Sequence, residues 1–204
     1  MKGRLQKGVT YIELVAVLSI FSIVTAISIY DFRVFESNIQ VKSLANDIAL
    51  KLVEAQRNAV FGKVSPPLQA PLDPSSWRPA YGLAFDVNVT PYTGPSIFYS
   101  YVDLDQDNNF THDPSYTCPK DDCLEKIDIT RGNRISNLRI YDSDGNYVNS
   151  ATQIDVTFTR PSTTATFYSG GSLLKGVGYL EIELTSPNNQ IVDIKVFASG
   201  RIEL

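Results

Sequence analysis

Oxygen-bearing side chains recur at alternate positions in Asp103-Leu-Asp105-Gln-Asp107-Asn-Asn109. Alternation lets one side of a turning chain aim several carboxylates at a hard cation, as in the first half of a calcium loop. Asp103, Asp105, Asp107 and Asn109 are therefore candidate calcium ligands. The full calcium-loop pattern fails, because Asn108 stands at the glycine position and Pro114 at that of the bidentate glutamate. Asp113, Asp121, Asp122 or Glu125 would have to complete the shell. Eight acidic residues lie between Asp103 and Asp128, against Lys120 and Lys126 alone. Such density favours a counterion, and the competing reading is a solvated acidic loop. Catalytic chemistry has less to work with. One histidine, no nucleophile–base motif and no glycine-rich phosphate loop give no enzyme signature. The residues point to assembly and interaction.

A second chemical feature is a charge in the wrong solvent. Residues 1–8 form a short leader with Lys2, Arg4 and Lys7, ending at Gly8. An almost unbroken apolar run follows from Val9 to Ile29, interrupted near its start by one carboxylate, Glu13. An isolated carboxylate in hydrocarbon costs at least about 2.5 kcal/mol, and a plain anchor has no use for it. A secretory signal would have a shorter apolar core followed by a small-residue cleavage site, which Val24-Thr25-Ala26 fits poorly. The length from Val9 to Ile29 suits a bilayer core of about 30 Å. Basic residues before it predict a cytoplasmic N-terminus and a C-terminal part outside.

These segments must be carried by a long helix. No glycine lies between Gly8 and Gly62 and no proline precedes Pro66, so the helical pattern runs from about Thr10 to about Phe61. Residues 9–30 are its transmembrane or core half. Residues 31–62 continue it amphipathically, with Val41, Leu44, Ala45, Ile48, Leu52, Ala55 and Ala59 at three- and four-residue steps among charged neighbours. Residues 63–80 hold Pro66, Pro67, Pro71, Pro74 and Pro79 and read as an extended connection.

Residues 81–204 read as strands: Tyr81–Val87, Ile97–Asp103, Ile127–Thr130, Ile135–Tyr141, Ile154–Thr159, Ala165–Tyr168, Tyr179–Thr185 and Ile191–Phe197. Clean alternation in Gln153–Arg160 and Tyr179–Thr185 predicts half-buried strands with one wet face. Tyr141–Val148 and Pro187–Gln190 read as hairpin turns. The fold class expected is α+β: one long N-terminal helix packed on an antiparallel β-sheet domain.

Basic leader, Gly8 and then Val9-Thr-Tyr-Ile-Glu13-Leu closely resemble the processing site of type IV pilins and type II secretion pseudopilins. Val41-Lys-Ser-Leu-Ala-Asn-Asp-Ile48, Glu54-Ala-Gln-Arg-Asn-Ala-Val60 and the ending Val196-Phe-Ala-Ser-Gly-Arg-Ile202 resemble the minor pseudopilin H or FimT-like group more loosely. Many major pilins carry a proline in the membrane helix, where this chain has Ser19, Ser22, Thr25 and Ser28. The resemblance implies cleavage by prepilin peptidase between Gly8 and Val9, and N-methylation of Val9, which stands where the family usually has phenylalanine. It also implies a pairing of Glu13 with the N-terminus of a neighbouring subunit. The implied partners are other pilins or pseudopilins in a helical filament, the peptidase, an inner-membrane assembly platform and membrane lipid. The implied location is the bacterial inner membrane, then the filament.

Two further features depend on that topology. Cys118 and Cys123 are the only cysteines, and in an oxidising extracytoplasmic space they read as a small disulfide loop. Zinc with His112 as third ligand lacks a fourth ligand. Some FimT-like pilins are thought to bind DNA, and Arg131, Arg134 and Arg139 could supply a small patch. Without the leader's three positive residues, however, fifteen basic side chains face twenty-two acidic ones, a balance that opposes a polyanion. A membrane-anchored binding domain that never polymerises is the remaining alternative.

Overall fold

The computed structural model describes residues 8–62, 79–87, 97–104, 110, 117–119 and 122–204. Helix α1 (Tyr11–Phe61) is 51 residues long, about 75 Å at 1.5 Å per residue. It stops at Gly62, whose φ of 59° and ψ of 44° are left-handed and whose N–H donates to the carbonyls of Asn58 and Ala59. Glycine takes that conformation without a Cβ penalty, which makes it a helix terminator.

Eleven strands follow among the described residues: β1 (Ala80–Asp86), β2 (Ile97–Asp103), β3 (Cys123–Asp128), β4 (Arg134–Asp142), β5 (Tyr147–Ala151), β6 (Gln153–Thr159), β7 (Ala165–Ser169), β8 (Ser172–Leu173), β9 (Val177–Thr185), β10 (Ile191–Phe197) and β11 (Ile202–Glu203). They form a six-stranded sheet in the order β3-β2-β1-β6-β7-β8 and a five-stranded sheet in the order β11-β10-β9-β4-β5. Their pairings are antiparallel, so the class is α+β. The second half of α1 lies against β1 and β6 of one sheet and β10 of the other. Its buried stripe runs through Ser37, Val41, Ala45, Ile48, Leu52, Ala55 and Ala59. From Val41 onward these side chains join Phe85, Phe158, Leu138, Ile182 and Val196 in one core, so the helix fastens the two sheets together.

Polar clamps hold the same contact. Gln56 Nε2 donates to the carbonyls of Thr163 at 2.8 Å and Gly200 at 3.1 Å. Lys51 Nζ donates to Glu125 at 2.6 Å, which pins the helix to β3.

Three local expectations need correction. Gln153–Arg160 is not a strand with a wet face: Asp155 and Thr157 of β6 are as buried as Ile154 and Val156. β6 is an inner strand, and Tyr101 reaches across β1 to meet Thr157 Oγ1 at 2.6 Å. The expected wet face of Tyr179–Thr185 is closed as well, with Glu181 and Glu183 each 7% exposed. The third strand starts at Cys123, not Ile127, because Cys123-Leu-Glu-Lys126 pairs with β2 despite its charges.

Candidate assembly site

The N-terminus of α1 is built by a reciprocal cap. Thr10 is the N-cap, with extended φ of −75° and ψ of 152°. Its Oγ1 accepts from the Glu13 N–H at 3.3 Å, while Glu13 Oε2 accepts from the Thr10 N–H at 3.0 Å and from Thr10 Oγ1 at 2.9 Å. Two orphan donors of the helix end are thereby satisfied. The Thr10-Tyr-Ile-Glu13 spacing carries this capping box in the sequence, a signal the motif reading passed over. Both bonds from Thr10 fall on Oε2, so Glu13 Oε1 has no protein partner among the described residues. Gly8 lies immediately outside the cap, exposed, with no atom within 4 Å of where a Cβ would sit. Val9 is 75% exposed. Lys2, Arg4 and Lys7 lie outside the described residues.

The apolar run ties down the hydroxyls of its serines and of Thr25. Ser19, Ser22, Thr25 and Ser28 donate their hydroxyls to the carbonyls of Val15, Leu18, Phe21 and Val24, at 2.8, 2.8, 2.8 and 2.9 Å. Such back-bonding leaves none of these four hydroxyl donors facing an apolar solvent. Tyr11–Ile29 is long and apolar enough to cross a membrane, and none of it is buried within the protein. Membrane anchors and signal sequences share that length and composition.

Cys118 and Cys123 form a disulfide, with Cα atoms 5.4 Å apart. Cys123 opens β3, and with Phe110, Tyr99 and Tyr101 it belongs to a second small apolar cluster, against which Cys118 packs. Phe110 lies 5.1 Å from the Tyr99 ring and 5.0 Å from the Tyr101 ring. Burial pushes the Tyr101 hydroxyl well above its usual range, and Asp155 adds to the shift.

Of the candidate calcium ligands, Asp103 ends β2 and is 3% exposed. Asp105, Asp107 and Asn109 lie outside the described residues, as do His112, Asp113 and Asp121. Asp122 Oδ1 accepts from the Leu104 N–H at 3.1 Å, and Glu125 Oε2 accepts from Lys51 Nζ. Among the described residues no group of three His, Cys, Asp or Glu is placed to hold a metal ion.

Arg131, Arg134 and Arg139 sit in different settings. Arg131 sits in the turn before β4 at a φ of 62°, and Arg134 is exposed at the start of β4. Arg139 points into the acidic surface of the second sheet. Its Nη1 donates to Glu181 Oε1 at 3.0 Å and its Nη2 to Glu183 Oε2. Ser136 and Asn137 also donate to Glu183, at 2.5 and 2.7 Å. This closely held network was not legible from alternation, which placed both glutamates in water.

Comparison with protein-family models, curated proteins and solved structures returns no match.

Proposed function

We propose that this chain is a pilin-like subunit, a minor component of a type IV filament or type II secretion pseudopilus. The leader stays inside the inner membrane and the β-rich domain outside it. Prepilin peptidase cuts between Gly8 and Val9 and methylates Val9, and the helix then passes from lipid into the helical core of a filament. The chain catalyses nothing; its work is to fit among neighbouring subunits.

One observation carries this reading. In an apolar segment where each serine and threonine hydroxyl is consumed by its own helix or cap, Glu13 alone keeps a carboxylate oxygen without a protein partner. A charge held there at such cost needs a partner, and the α-ammonium of an incoming neighbour is one that neutralises it. The exposed Gly8–Val9 bond directly before the cap suits a peptidase. The pairing of Arg139 with Glu181 and Glu183 takes one cation from the alternative DNA surface.

The test is an intact mass and N-terminal peptide map of the protein from native membranes. A chain beginning at N-methylated Val9 is expected, and Glu13→Ala is expected to block filament incorporation while leaving cleavage intact. A chain still carrying Met1–Gly8 beside an active peptidase would overturn the reading and leave a membrane-anchored binding domain.

A further inference from the structure

We draw no further inference here: the strongest candidate, the exposed apolar stripe of α1 opposite its buried one, through Phe32, Phe35, Ile39, Leu50, Val53 and Phe61, carries nothing, because nothing in the structure shows what covers it.

Discussion

Gln56, near the end of the helix, and Gly200, in the turn between β10 and β11, are bonded across 144 residues of sequence, Nε2 to carbonyl at 3.1 Å. Gly200 has a φ of 86°. A Cβ there would collide with the Thr163 carbonyl and lie 2.5 Å from Gln56 Nε2. Gly200→Ala therefore combines a strained backbone with a broken clamp, and we expect a loss of more than about 1 kcal/mol. Gln56→Ala removes only the side-chain bonds and should cost about 1 kcal/mol. Thermal melts of the two variants give the order, and a Gly200→Ala protein as stable as the parent would sink this account.

The helix interface gives a second comparison. Ile48 and Leu52 are fully buried, whereas Leu50, on the outer face, is 66% exposed. Ile48→Ala or Leu52→Ala should destabilise by about 2–5 kcal/mol. Leu50→Ala should stay within about 0.5 kcal/mol. Chemical denaturation of the purified protein distinguishes these, and equal losses at positions 50 and 52 would contradict the burial.

Acid should act on the Arg139 network. Burial alone would raise the Glu183 carboxyl, but hydrogen bonds from Ser136, Asn137 and Arg139 outweigh it and hold it below its usual range. A depressed carboxyl contributes stability above its unfolded pKa, about 4.3, and loses it as pH falls through the lower folded value. Asp193 has the opposite sign: burial first, then Glu181 and Glu183, push it up. Its contribution is fully present below its unfolded pKa, about 3.9, and is lost as pH rises through the folded one. Melting temperature measured from pH 3 to 7 should fall less steeply on the acid side for Glu183→Gln. Asp193→Asn should gain up to about 1 kcal/mol at neutral pH, discounted for its partial exposure.

Reduction of Cys118–Cys123 opens a loop with a sequence separation of 5. Chain entropy alone gives about 2 kcal/mol for so short a loop. The cluster of Tyr99, Tyr101 and Phe110 beneath it should become more accessible, and tyrosine fluorescence together with melting temperature would follow both effects. An unchanged melt after complete reduction would count against the disulfide as a fastener of this face.

The helix was legible because its signals are local: glycine and proline are absent from its interior, Gly62 ends it, and the apolar steps at 41, 45, 48, 52, 55 and 59 are the residues it buries. Strand positions followed from alternation for the same reason. What alternation could not reveal was a second burying layer. Thr157 is covered because Tyr101 crosses a glycine, Gly82, whose missing side chain leaves room for the ring: a Cβ there would lie 2.7 Å from it. Glu181 and Glu183 are covered by Arg139 from the neighbouring strand. The exposed edge strand β5, Tyr147-Val-Asn-Ser-Ala151, has too little apolar pattern to announce itself. These depend on pairings between distant segments that no short window contains.

The four hydroxyls of the apolar helix carry a mechanical consequence. Each carbonyl that accepts from Ser19, Ser22, Thr25 or Ser28 is one that the helical ladder also uses, and sharing loosens the ladder at that turn. The shared carbonyls, from Val15 to Val24, cover about 14 Å of rise. Where a proline would concentrate bending at one hinge, this segment distributes compliance along its length, as a leaf spring does, and can curve without giving up a hydrogen bond.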